Sequence, residues 1–255
     1  MSCVRAALIV AILAITSSAS AAAKRRHFEP DDLELEDPGT LDIDLQVGPL
    51  RGDSDGKNRV LLPDFEVGLG LLPNVQLEID GTFSLDEFDG ARRHFTGDPL
   101  WIATKLGLFD EQDEAGNVWA IGLELGPRVP TLDAAGIGYG AVALLGFSRR
   151  GFHLVVNAGS IIDPGATLSA EHSESVVLGL DLDAELDHRK KWSLQSELGG
   201  AYYFSADPHE LAFTLGATYA VTPKLDVSAT ALAGFLPGTD HAGLLLGVSP
   251  QIDLW

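Results

Sequence analysis

The chain has 255 residues, with 37 acids against 17 lysines and arginines, a formal net charge of −20 and a mean hydropathy of +0.13. A composition 45% hydrophobic excludes intrinsic disorder, the acidity opposes binding to nucleic-acid phosphates, and a single cysteine excludes a disulfide framework. A positive hydropathy beside 21% charged residues is unusual for a soluble domain, so the two kinds of side chain must be segregated in some way.

The first element is an export signal. Arg5 forms a short basic region, residues 6–15 are an apolar run, and Ala19-Ser20-Ala21 offers a small-x-small cleavage site, with Ala21-Ala22-Ala23 as a second. The run is well short of the ~20 apolar residues a spanning helix needs. Cys3 precedes the run, so it is not the cysteine that follows a lipoprotein signal. Cleavage after residue 21 removes one arginine and no acid, which deepens the net charge from −20 to −21. Residues 24–38 (KRRHFEPDDLELEDP) show no strand pattern and read as a periplasmic lead-in segment ahead of a single domain at 39–255.

From there the chain alternates with period two. Leu41-Asp-Ile-Asp-Leu-Gln-Val47, Val75-Gln-Leu-Glu-Ile-Asp80 and Leu178-Gly-Leu-Asp-Leu-Asp-Ala-Glu-Leu186 each give one apolar face and one polar or very small face. Strand side chains point to opposite sides in turn, whereas a helix would mix these classes. Twelve such segments are predicted, near 40–48, 60–70, 75–85, 99–109, 117–127, 136–147, 152–161, 174–186, 192–204, 210–221, 225–236 and 242–255. Most are longer than the usual 5–6 residues of a globular strand and match the ~9–11 that a tilted strand needs to cross a bilayer. The expectation is an all-β fold, a transmembrane antiparallel up-and-down β-barrel of about twelve strands.

Alternation does not say which face is outside, and a lipocalin-like soluble barrel alternates too. Loop parity favours the membrane form. The odd-numbered connections are mostly long, at 49–59, 86–98, 128–135 and 162–173, then about 5 residues each at 205–209 and 237–241, and the even-numbered ones at 71–74, 110–116, 148–151, 187–191 and 222–224 are short. Outer-membrane barrels have short periplasmic turns and longer outer loops. Aromatic residues then fall into two groups, Phe109, Trp119, Phe147, Phe152, Trp192, Tyr219 and Trp255 near the inner ends, and Phe83, Tyr202, Phe204, Phe213 and Phe235 near the outer ends, as interfacial girdles would. The polar face also carries Gly68, Gly107, Gly122, Gly138, Gly140, Gly146, Gly179 and Gly199, which suits a watery lumen better than a packed core. The last strand is open to two registers. Alternation back from Trp255 would put Gln251 and Asp253 outside, and alternation back from Leu254 and Ile252 would put them inside.

Four stretches carry a family resemblance: 63–78 (PDFEVGLGLLPNVQLE), 97–111 with Gly97-Asp98 ahead of Lys105, 118–131 (VWAIGLELGPRVPT) and 152–159 with Asn157-Ala-Gly159. In this order they resemble the outer-membrane family named for the MetA pathway of phenol degradation, over roughly residues 40–255. The resemblance implies an outer-membrane β-barrel transporter, exported by a cleaved signal peptide to the bacterial outer membrane. It carries over no catalytic residue. The family's name points to a hydrophobic or aromatic solute.

The candidate lumen-lining residues are Asp42, Asp44, Glu66, Glu78, Asp80, Lys105, Glu124, Arg128, Asp181, Asp183, Glu185, Glu197 and Asp226, with Asp64 on the same face. Rings of carboxylates attract cations and repel anions, so the expected function is passive passage of a small solute through an acidic lumen. The plainer reading is that these acids only hydrate the interior or pair with Lys105 and Arg128. A structural or surface-interaction barrel with a closed lumen is the alternative, and an outer-membrane enzyme a third. Asp42-x-Asp44 and Asp181-x-Asp183 place two carboxylates on one strand face, but His94, His172, His209 and His241 fall in outer loops, so no enzyme is expected. Asp53-Ser-Asp-Gly-Lys-Asn58 fails the calcium-loop pattern, and Glu171-His172 and Asp240-His241 lack paired ligand spacing. No metal or cofactor is expected. The implied partners are membrane lipid, a small-molecule solute and the outer-membrane barrel assembly machinery, with no nucleic acid.

Overall fold

The computed structural model describes residues 35–52, 58–88, 92–131, 136–164, 173–187, 191–204 and 209–255. The export signal, residues 24–34 of the lead-in, most of the Asp53–Asn58 motif and Glu171-His172 lie outside them.

Among the described residues there are thirteen strands and no helix: β1 (Thr40–Arg51), β2 (Asn58–Leu72), β3 (Val75–Phe88), β4 (Arg92–Gly97), β5 (Leu100–Gln112), β6 (Val118–Val129), β7 (Gly138–Arg149), β8 (Phe152–Asp163), β9 (Ser173–Glu185), β10 (Trp192–Tyr203), β11 (Ala212–Thr222), β12 (Leu225–Gly234) and β13 (Ala242–Asp253). Neighbours pair antiparallel, and β1 pairs with both β2 and β13, so the sheet closes on itself. β4 and β5 both pair with β3 and form one stave, interrupted at Asp98 and Pro99, where proline removes a ladder donor. The wall therefore has twelve staves.

One expectation needs correction here. The segment 86–98 is not a long loop. β3 continues to Phe88 and β4 starts at Arg92, so most of it is a hairpin standing above the wall.

Period two governs side-chain direction throughout. In β7, Gly138, Gly140, Val142, Leu144 and Gly146 are buried, while Tyr139, Ala141, Ala143 and Leu145 are exposed. Every stave shows the same contrast, with exposed Leu45, Leu125, Leu178, Leu215 and Leu246 on the outside. Apolar side chains left outward in this number belong against lipid. An extra residue between Leu61 and Asp64 shifts the register against β3, and it brings both side chains to the inward face. In β13, Ile252 is exposed and Gln251 is hydrogen-bonded inside, so the register counted from Leu254 and Ile252 is the one formed.

Aromatic side chains cluster outside at both ends. Trp119 packs on Phe147 and Trp192 on Tyr219, each pair with centroids 4.7 Å apart, near the end that carries the chain termini. At the other end Phe65, Phe83 and Phe95 stack across three strands with centroid spacings of 6.1 and 5.6 Å. The turns at the terminus-bearing end are tight. β7 and β8 join through Arg150 (φ 49°) and Gly151 (φ 77°), both left-handed as a type I′ hairpin requires. Between β5 and β6, Asp113 accepts hydrogen bonds from the Asn117 side chain and from the Ala115 and Asn117 amides, which hold its carboxyl below the ordinary pKa.

The interior is not lined only by polar and very small groups, contrary to expectation. Trp101, Ala103, Val142, Leu144, Val155, Ile161, Val177 and Ala201 form one buried apolar cluster on β5 and β7–β10, with Tyr203 against it. Several inward glycines make room for large neighbours rather than for water. A Cβ on Gly140 would lie 2.9 Å from the Trp101 ring, and one on Gly179 2.1 Å from Asn157 Oδ1. A smaller cluster, Leu50, Leu61 and Leu245, lies on β1, β2 and β13.

Candidate functional site: the barrel interior

All thirteen candidate residues stand at inward positions of their strands, and they fall into distinct groups. Strand register brings Asp44 opposite Glu66 and Glu66 opposite Asp80, so three carboxylates form a row across β1, β2 and β3. Ser249, whose hydroxyl donates to Asp44, extends the row, and Asp226 stands opposite Ser249 on β12. A second like-charged contact is Asp181 opposite Glu197 on β9 and β10. Like charges facing each other across a ladder are unfavourable, and more so where Asp44, Glu66, Glu197 and Asp226 are all buried. The row and the pair both bring carboxylates together across the ladder.

Lys105 forms the centre of another group. It stands opposite Gln76 on β3 and Glu124 on β6, and its ammonium is 3.7 Å from the Glu78 carboxylate. Gln76, Glu78, Lys105 and Glu124 are all essentially inaccessible to solvent. Gln76 Nε2 donates to Glu78 Oε1 at 2.7 Å. A buried ion pair costs desolvation and is tolerated only with good pairing, and Gln76 adds a hydrogen bond to the carboxylate of this one.

The same group holds the chain that leads into β1. The Glu36 amide donates to Gln76 Oε1 at 2.6 Å, and Gln251 Nε2 donates to the Glu36 carboxylate at 2.7 Å. Glu36 is buried, and Leu35 lies against Gly107 on β5. A Cβ on Gly70 would fall 2.2 Å from the Asp37 carbonyl oxygen and 2.4 Å from that of Glu36. Residues 35–37 therefore run as a strap across the inner face at the terminus-bearing end, in a channel that glycine keeps open.

Asp42, Asp181, Asp183 and Glu185 are partly exposed toward this end. Asp183 accepts from Gln195 Nε2 at 3.1 Å and stands opposite His153, which shares a 2.9 Å hydrogen bond with Ser148 Oγ. These four residues lie on four strands, so no sequence spacing announces the grouping.

At the opposite end the interior widens into a cavity of about 310 Å³. Asp64, Asp80 and Arg128 line it, together with residues the sequence did not assign to the lumen: Arg59, Asp98, Asp163, Tyr203, Glu210 and Asp240. Arg59 Nε donates to Asp240 Oδ2 at 2.8 Å, and Arg128 pairs with Asp163. Tyr203 OH donates to Glu210 Oε1 at 3.1 Å. Burial, reinforced by Asp98 and Asp163, pushes the Glu210 carboxyl up to about 7, although the tyrosine hydrogen bond opposes the rise. Strand parity counted back from Lys105 would have found Trp101 inside. Glu36 and Glu210 lie outside regular strands and left no such signal.

No protein-family model and no curated protein sequence matches the chain. Solved structures do. The COG4313 outer membrane channel from Pseudomonas putida F1 superposes with a TM-score of 0.60 at 14% identity, over 89% of this chain and 100% of that one. The translocator domain of autotransporter NalP from Neisseria meningitidis gives a TM-score of 0.45 at 14% identity, over 86% of this chain and 90% of that one. Closure in twelve staves, the apolar exterior and the first of these likenesses agree: the chain has the fold of an outer-membrane β-barrel channel.

Proposed function

We propose that this protein resides in the bacterial outer membrane and passes small solutes passively, with a preference for cations. The observation that carries the reading is the row Asp44–Glu66–Asp80 inside a closed barrel, with Asp181 opposite Glu197 as a second like-charged contact. Twelve staves lie between the eight-stranded barrels that side chains fill and the 16–18-stranded porins with open channels, which suits a narrow passage. The resemblance to the family named for phenol degradation adds a hydrophobic or aromatic solute to this reading. Reversal potentials in a planar bilayer under a salt gradient test the preference. Cation selectivity is expected, and anion selectivity would reject it.

One observation favours a second reading, a barrel with a closed lumen that serves structure or surface interaction. The packed group around Lys105 and the strap at residues 35–37 both occupy interior space. Single-channel conductance separates the two readings: steady current supports passage, and its absence supports the closed barrel.

A further inference from the structure

The outer cavity, about 310 Å³, is at the lower end of the range for small-molecule sites, about 300–1,000 Å³. Its two sides differ in chemistry. On one, Asp64 on β2, Asp80 on β3 and Asp98 at the break before β5 come from three adjacent staves. Thr82 ties two of them together, since its hydroxyl donates to Asp64 Oδ1 at 2.6 Å and its carbonyl accepts from the Asp98 amide at 2.9 Å. On the other side, Ile161, Val177 and Ala201 come from β8, β9 and β10, with Val177 directly opposite Ala201; all three belong to the buried apolar cluster and lie one inward position deeper than Asp163, Ser175 and Tyr203 on the same strands. In the closed ring these two sets of staves are separated by β6 and β7 one way and by β11, β12, β13 and β1 the other, so they face each other. Both arginines of the lining are held by acids, Arg59 by Asp240 and Arg128 by Asp163, and the lining as a whole has six carboxyl groups to two guanidinium groups.

We propose that this cavity binds an organic monocation with an apolar or aromatic body, its ammonium toward Asp64, Asp80 and Asp98 and its body against Ile161, Val177 and Ala201. An inorganic cation would gain nothing from the apolar side, and an organic anion would be repelled by the net charge. The proposal names the solute class for the channel reading and rests on that reading only for onward passage, because binding in the cavity needs no current.

Calorimetry on the full barrel, refolded in detergent at low ionic strength, tests it with three ligands: benzyltrimethylammonium, tetramethylammonium and benzoate. Benzyltrimethylammonium is expected to bind one per barrel, about tenfold or more tighter than tetramethylammonium, and benzoate not to bind. The double variant Asp64→Asn, Asp98→Asn is expected to weaken both ammonium ions about tenfold, and Val177→Ser to weaken only the benzyl ligand. Equal affinity for the two ammonium ions, benzoate binding as tightly, or no benzyltrimethylammonium binding overturns the proposal, and these wild-type comparisons decide even if a variant fails to fold. Bilayer current on the same preparation keeps the two ideas apart. Binding without current retains the site and rejects the channel, and current without binding does the reverse.

Discussion

Lys105 and Glu78 are 3.7 Å apart on neighbouring strands, and neither side chain reaches solvent. The pair sits between the acid row of β1–β3 and the strap at residues 35–37, and Gln76 links it to Glu36. The Lys105 ammonium thus lies by Glu78 on β3 and opposite Glu124 on β6.

Replacing Lys105 by methionine keeps the volume and removes the charge. Glu78 and Glu124 would then be buried beside no ammonium at this position. The expected destabilisation is about 3–5 kcal/mol, the usual cost of breaking a buried pair from one side. Urea unfolding of the refolded barrel measures it. The double variant Lys105→Met, Glu78→Gln should recover a large part of the loss.

The strap can be displaced from the wall side. Gly70→Val places side-chain atoms where the carbonyl oxygens of Glu36 and Asp37 now lie. If the strap narrows the passage, single-channel conductance rises several-fold while the barrel keeps its heat-modifiable mobility on gels. Unchanged conductance would show that the strap does not limit flow.

Glu210 gives the outer cavity a pH dependence. Its carboxyl, raised to about 7 from 4.5 by burial, is largely protonated at pH 6 and ionised at pH 8. A raised acid favours the folded state while protonated. The cost of ionising it begins as pH rises past 4.5 and is complete above about 7, on the order of 3 kcal/mol. The cavity also holds Arg59, Arg128, Asp64, Asp80, Asp98, Asp163, Tyr203 and Asp240. Cation preference should therefore fall between pH 8 and pH 6. In Glu210→Gln that step should disappear, as reversal potentials at the two pH values would record.

Trp101 fills the inside of the wall over Gly140. Trp101→Ala removes the largest fully buried side chain and should cost about 3–5 kcal/mol. Gly140→Ala forces a Cβ to within 2.9 Å of the indole and should cost about 1–3 kcal/mol. Both are read from denaturant midpoints.

Much of the barrel is visible in local pattern. The runs at 41–47 and 178–186 alternate because successive residues of a pleated strand point to opposite faces, and nothing distant is needed to see it. Local pattern shows only the lower half of the stave interrupted at Asp98-Pro99, since its upper half, Arg92–Gly97, lacks the apolar alternation.

The sequence by itself determined the period of two, and with it which residues share a strand face and the separation of an apolar face from a polar-rich one. Only the tertiary structure decided which side chains meet. Register placed Asp44, Glu66 and Asp80 in one row, closure of the ring set Asp64 and Asp98 across from Val177 and Ala201, and hydrogen bonds from the segment before β1 held Glu36 between Gln76 and Gln251. The physical reason is one of range. Pleat direction is set by each residue's own backbone, whereas register and closure depend on hydrogen bonds between segments far apart in the chain.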